Sequence, residues 1–143
     1  MIRLTKIFHF EMAHAIHGYL GACKNIHGHS YELHVTLGTS IIQKKYIPSP
    51  GFIIDFKQIK NLVYSCIIEK FDHHLLLSED YIAQHHAIRG YENLIVWEIE
   101  PSAENILIYM QQVIQEKLPI DIKLVHLKLF ETKDSFAEWL IDD

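Results

Sequence analysis

The chain is predicted to fold as one α+β domain, an antiparallel sheet with helices packed on one face. Three observations predict it. Apolar and polar residues alternate over 2–14 and again from His27 onward, the period of half-buried strands. Two later segments, opening at Asp55 and at Ser102, carry apolar stripes at helical spacing. A chain of 143 residues, 49% of them hydrophobic, can bury one real core. No repeat, low-complexity tract or linker divides it, so the domain is expected to span 1–143.

The first strand puts Ile2, Leu4, Phe8, Phe10 and Met12 on one face and ends that row with His14. Arg3, Thr5, His9 and Glu11 lie opposite. A loop with Gly18, Gly21 and Cys23 leads to the second strand. There His27 and His29 share a face with Tyr31, Leu33, Val35 and Leu37. Residues 38–51 hold Gly38, Pro48, Pro50 and Gly51 and read as a connection. Asp55 and Gln58 form a capping-box pattern before the stripe Ile59, Leu62, Val63, Cys66 and Ile67, which assigns Cys66 to the core. After Phe71-Asp72-His73-His74 the sequence is poorly patterned to about Asn93, and Leu94 to Ile99 reads as a short strand. Ser102 caps a second helix with the stripe Ile106, Met110, Val113 and Ile114, ended by Pro119. The last strand aligns Val125, Leu127, Leu129 and then Glu131 on one face.

Composition excludes several classes. With 13 Lys and Arg against 18 Asp and Glu, the net charge of −5 argues against nucleic acid. No apolar run approaches the roughly 18 residues of a membrane span. The first residues read as a strand and not as a signal peptide, so a soluble cytoplasmic protein is expected. Two cysteines are too few for a disulfide scaffold. The excess is in histidine, 11 residues, the commonest metal ligand.

His14, His27 and His29 end two apolar strand rows and suit a catalytic zinc site, where three protein ligands leave a fourth position open. Cys23, just before two of these ligands, is a candidate base, nucleophile or fourth ligand, because a nearby cation favours its thiolate. Asp72-His73 reads as a carboxylate-oriented imidazole for proton transfer. Glu131 is either a solvated strand end or a site carboxylate. It lies on another strand from the histidines and is expected to leave the metal site untouched. His74, His85 and His86 read as solvated loop histidines. His-Glu-x-x-His and Gly-rich phosphate loops are absent from the sequence, which leaves an unrelated zinc hydrolase without its acid–base carboxylate.

In order along the chain stand Phe10-Glu11-Met12-Ala13-His14, Cys23-x-x-x-His27-Gly28-His29 and Gly51-Phe52-Ile53-Ile54-Asp55-Phe56. Asp72-His73, Pro101-Ser102-Ala103-Glu104-Asn105 and Glu131-Thr132 follow. This ordered set resembles the 6-pyruvoyltetrahydropterin synthase / 6-carboxytetrahydropterin synthase family over nearly the whole chain. The resemblance implies the tunnelling fold, a four-stranded antiparallel sheet with two helices on one side. Trimers would close into a barrel, and two would stack as a homohexamer. It implies one Zn2+ per chain on His14, His27 and His29, binding the side-chain hydroxyls of dihydroneopterin triphosphate. Cys23 would accept the proton and His73, oriented by Asp72, would relay it at a site between subunits. Glu131 would anchor the pterin ring and join the relay, with Ser102 and Glu104 as further substrate-binding positions.

The implied activity is a zinc-dependent lyase making 6-carboxy-5,6,7,8-tetrahydropterin for queuosine and related 7-deazaguanines. A 6-pyruvoyltetrahydropterin synthase, or a zinc- and pterin-binding module without catalysis, are the alternatives. Against the last stand Cys23, Asp72, His73 and Glu131, all present. The chain departs from the family in having leucine where many members carry asparagine after Asp-His, Ser102 for threonine, and a longer 78–93 segment. These fall on the pocket rim and subunit contacts and touch neither a ligand nor Cys23.

Overall fold

The computed structural model describes residues 2–41 and 46–142; part of the expected 38–51 connection lies outside them. Strands β1 (Leu4–His14) and β2 (His27–Thr39) pair antiparallel from Leu4↔Leu37 to His14↔His27. Their alternation sorts as expected except at Ile2, which lies ahead of the strand and is 55% exposed. Phe8, Phe10, Met12, Tyr31, Leu33, Val35 and Leu37 are buried, whereas Thr5, His9 and Glu11 are exposed. Phe10 and Tyr31, on adjacent strands, stack with centroids 4.9 Å apart and rings 5° from parallel.

Helix α1 (Phe56–Val63) starts at the expected capping box. Asp55 accepts the Lys57 N–H at 2.9 Å, and Gln58 Oε1 accepts the Asp55 N–H at 3.2 Å. The helix runs on through a π turn (Tyr64–Ile68) and a last turn (Glu69–Phe71). A regular helix would swing one of three consecutive residues outward; the widened turn keeps Cys66, Ile67 and Ile68 all buried. Cys66 is thus a core residue, and burial raises its thiol pKa above the usual value.

Beyond this point the architecture differs from the expected four-stranded antiparallel sheet with two helices on one face. Two more strands follow, β3 (His74–Ser78) and β4 (Leu94–Trp97), with helix α2 (Glu79–Gln84) and a 3-10 turn (His86–Gly90) between them. Helix α3 (Ala103–Lys117) leads to β5 (Ile122–Thr132) and β6 (Ser135–Leu140). The result is one six-stranded mixed sheet in the order β4-β3-β1-β2-β5-β6, with β3 parallel to β1 and β4 parallel to β3.

The reason is burial on both faces. Leu76 joins the main core beneath α1 and α3, while Leu75 and Leu77 face a second cluster with Tyr81 and Ile82 of α2. A strand covered on both sides reads as an unbroken apolar run and not as an alternation. The 78–93 stretch, extra in sequence, supplies that second cover. Ser78 caps α2 by accepting the Tyr81 N–H at 3.0 Å.

A second correction concerns β5. Thr36 pairs with His126 but Leu37 pairs with Leu124, so Val125 is an extra residue in a bulge. The inward row is therefore Ile122, Leu124, Leu127 and Leu129, while Val125 is buried outside the main core. Ser102 caps α3 as expected, accepting the Asn105 N–H at 3.2 Å. Among the described residues, no helix is long and apolar enough to cross a membrane.

Candidate active site

Antiparallel pairing brings the ends of two apolar rows together. His14 pairs directly with His27, and His29 lies two residues further along β2 on the same face. The ring centroids of His14, His27 and His29 are 4.6, 5.2 and 4.9 Å apart, and their ligand nitrogens all lie within 4.8 Å of one another. Among the described residues this is the one cluster of three or more His, Cys, Asp or Glu near enough to share an ion.

The rings are oriented from behind. His14 Nδ1 lies 2.6 Å from the Pro101 carbonyl oxygen, and His27 Nδ1 lies 2.7 Å from that of Asn25. A carbonyl can only accept, so each Nδ1 carries the proton and each Nε2 presents a lone pair. His29 Nε2 is buried without a hydrogen-bond partner, a costly state for a lone protein atom and a fitting one for a metal ligand. Buried Tyr31 forms the floor, its ring 6.1 Å from His14 and 5.4 Å from His29. Burial and the nearby Glu131 charge push its phenol pKa up. The donor set of three neutral imidazoles fits zinc.

Glu131 is brought onto this cluster, contrary to its expected independence from it. Its Oε2 lies 3.0 Å from His29 Nε2 and 3.4 Å from His14 Nε2. The pairing of β5 with β2 stops at Phe130, and the pairing with β6 shifts register between Phe130 and Thr132. Glu131 thus sits in an irregularity, a device that re-aims a side chain. When a proton rather than an ion sits on the cluster, the hydrogen bond from His14, aided by the charges of His29 and His27, lowers the Glu131 carboxyl pKa against the opposing effect of burial. Burial lowers the His29 pKa, with Glu131 opposing that shift. Beside His29 and Glu131 opens a cavity of about 600 Å³, also lined by Gly28, Phe130 and Lys133.

Asp72 and His73 form the contact that adjacent residues seldom make. His73 Nδ1 lies 3.1 Å from Asp72 Oδ1, and His73 has φ 61°, in the left-handed region. The surroundings hold this turn. The Glu11 N–H donates to Asp72 Oδ1 at 2.8 Å, the His73 N–H donates to the Glu11 carbonyl at 2.6 Å, and Asn93 Nδ2 donates to the His73 carbonyl at 2.9 Å. The Glu11 N–H, first, and then His73 lower the Asp72 pKa. His73 is 79% exposed and lines, with His29 and Glu11, a second cavity of about 370 Å³.

The remaining candidates are less gathered. Cys23 is exposed in a 3-10 turn (Ala22–Lys24), its carbonyl accepting the Ile16 N–H at 2.8 Å, and it lines neither cavity beside His29. The Ser102 hydroxyl is engaged as the α3 cap, and Glu104 is exposed in the first turn of α3; neither lines those cavities. His74 and His85 are not free loop histidines. His74 begins β3 with Nδ1 2.8 Å from the Asp72 carbonyl, and His85 stacks on Tyr81 at 4.2 Å.

Sequence reasoning missed the backbone supports: the carbonyls of Asn25 and Pro101, the Glu11 backbone and Asn93. Asn25, Pro101 and Glu11 lie within the motifs Cys-x-x-x-His, Pro101-Ser102-Ala103-Glu104-Asn105 and Phe10-Glu11-Met12-Ala13-His14 and had a signal; Asn93 had none.

Comparison with known proteins agrees with this geometry. The sequence model of the 6-pyruvoyl tetrahydropterin synthase family matches residues 3–140. A 6-carboxy-5,6,7,8-tetrahydropterin synthase of Rickettsia typhi is 35% identical over 142 residues, covering 96% of this chain and 99% of the relative. An uncharacterized protein of Wolinella succinogenes has a solved structure similar at TM-score 0.79 and 19% identity, covering 99% of this chain and 98% of that one. The 6-pyruvoyl tetrahydropterin synthase of Caenorhabditis elegans is similar at TM-score 0.69 and 19% identity, covering 99% and 96%.

Proposed function

The chain belongs to the 6-pyruvoyl tetrahydropterin synthase family, and on that premise we propose that it is a zinc-dependent lyase. It converts 7,8-dihydroneopterin triphosphate to 6-carboxy-5,6,7,8-tetrahydropterin, on the path to queuosine. The observation that carries this reading is the convergence of His14, His27 and His29, with Nδ1 of two rings held on carbonyls and the third Nε2 left buried and unpaired. The named product follows the Rickettsia typhi relative.

His14, His27 and His29 would hold the zinc through Nε2. When bound, the metal supplies Lewis-acid polarisation, making the carbon-bound proton beside a coordinated hydroxyl more acidic. Cys23, as thiolate, takes that proton. His73 relays protons, its tautomer fixed by Asp72, which fits the 3.1 Å contact and its place beside His29 in one cavity. The pterin ring enters the cavity of about 600 Å³, where Glu131 accepts its paired N–H donors. Ser102 and Glu104 line neither cavity of a single chain, so any contact they make with substrate would come at the site between subunits. The triphosphate then leaves, and with one water consumed the two outer side-chain carbons depart as a two-carbon aldehyde, so that only the carboxyl carbon stays on the ring.

The active unit is a homohexamer of two barrel-forming trimers in the cytoplasm, each chain one tunnelling-fold domain. The sheet ends in β4 and β6, each with one ladder side open to another chain, which favours assembly through the edges.

The test is the product formed from dihydroneopterin triphosphate, read by mass. The 6-carboxy product is expected. A 6-pyruvoyl product would move the chain to the other activity in the family, and recovered intact substrate would overturn catalysis in favour of a pterin-binding module.

A further inference from the structure

Glu131 Oε2 is 3.0 Å from His29 Nε2, yet His29 Nε2 makes no hydrogen bond. The oxygen is near enough but lies off the ring N–H axis, so the two atoms are side by side and not donor to acceptor. Atoms placed that way share a common target. Zinc bonds of about 2.0–2.1 Å set the edges of a ligand tetrahedron at roughly 3.3 Å. The distances of 3.0 and 3.4 Å from Glu131 Oε2 to two of the three imidazole nitrogens match such an edge. The three nitrogens, within 4.8 Å of one another, must themselves draw in around an ion, and the carboxylate on its irregular strand end can follow. The position that three histidines leave open is the one this oxygen approaches.

We infer that Glu131 is the fourth metal ligand in the substrate-free protein and exchanges off the metal when substrate arrives. This rests on the zinc reading above and extends it. The same carboxylate serves the metal first and the pterin ring afterwards. Leaving the metal opens the position that a substrate hydroxyl takes, so ring capture and metal access become one event. Because each ligand then changes the other's hold on Glu131, pterin binding and metal affinity are coupled, and the coupling is reciprocal.

The test uses full-length protein. Zinc affinity is measured by competition with a chromophoric chelator for the parent, Glu131→Gln and Glu131→Ala, without pterin. The cobalt(II)-substituted forms are compared by visible absorption, with circular dichroism confirming each fold. Removing the carboxylate is expected to weaken zinc binding at least about tenfold, the scale seen when even an outer partner of a ligand is lost. The cobalt bands are expected to shift in both variants, and adding biopterin to the parent should shift them toward the variants' spectrum. Zinc affinity within about twofold of the parent, with cobalt bands unchanged in both variants, would overturn the inference while leaving the three-histidine site standing. A parent protein that binds no zinc would overturn the metal reading itself.

Discussion

His14 Nδ1 and the carbonyl oxygen of Pro101 meet at 2.6 Å, joining the end of β1 to the residue just before the cap of α3. The bond makes His14 a donor at Nδ1 and turns Nε2 toward His27 and His29, where it could hold an ion. It also means that the helix start and the histidine cluster are built as one piece, since Asn105 Nδ2 donates to the Glu100 carbonyl and Glu100 Oε1 accepts the His17 N–H.

One zinc per chain on three histidines predicts that His14→Ala and His27→Ala each lose most of their metal. Affinity should fall by more than the roughly 10–100-fold typical for loss of an outer partner. Metal analysis after dialysis decides it, and full occupancy in both variants would reject the ligand assignment.

The two cysteines should part company. Cys23→Ala is expected to keep zinc and fold while losing turnover. Cys66→Ala, at a site 5% exposed in the π turn, should keep turnover and lose about 1–2 kcal/mol in denaturant unfolding. Turnover lost only in Cys66→Ala would reverse both roles.

Backbone conformation at His73 separates strain from chemistry. A side chain in the left-handed region costs about 1–2 kcal/mol relative to glycine, partly offset by the greater freedom of unfolded glycine. His73→Gly should therefore be more stable than His73→Ala by up to about 1 kcal/mol, and both should lose turnover. Equal urea midpoints would mean that the turn carries no strain.

Asp72 gives a pH signature. Its folded-state pKa is lowered from 3.8, chiefly by the Glu11 N–H and then by His73. Its stabilising effect is therefore present above the unfolded value and is lost as pH falls through the folded one. The carboxyl is 38% exposed, so screening keeps the effect below about 1 kcal/mol. In the presence of chelator, the urea midpoint of the parent should exceed that of Asp72→Asn at pH 6. The gap should close as pH drops below about 4. A gap unchanged from pH 6 to pH 3 would show that the charge is not what stabilises the turn.

The parts of the fold that were legible in the sequence are those exposed on one side. β1, β2, α1 and α3 each carry a polar face, and their periodicity named both the core rows and the histidines at their ends. β3 was not legible because Leu75, Leu76 and Leu77 are buried between two clusters and leave no alternation. β6 did carry a signal, since Ala137 and Trp139 alternate with exposed Phe136 and Glu138 just after the turn at Lys133-Asp134. The convergence of the three histidines followed from side-chain parity alone. The approach of Glu131 followed only in part: parity set it on the inward face, but the irregularity after Phe130 that aims it at the histidines left no mark in the sequence.

The bulge at Val125 divides β5 into two reading frames. Ile122 and Leu124 face the core in one, and Leu127 and Leu129 in the other, the frame that leads on to Glu131. Removing one residue there would force a choice: either the apolar start of the strand turns outward, or the carboxylate turns away from the histidines. The number of residues between the end of α3 and Glu131 is therefore constrained in its oddness as well as its size. The strand tolerates a change of two residues better than a change of one.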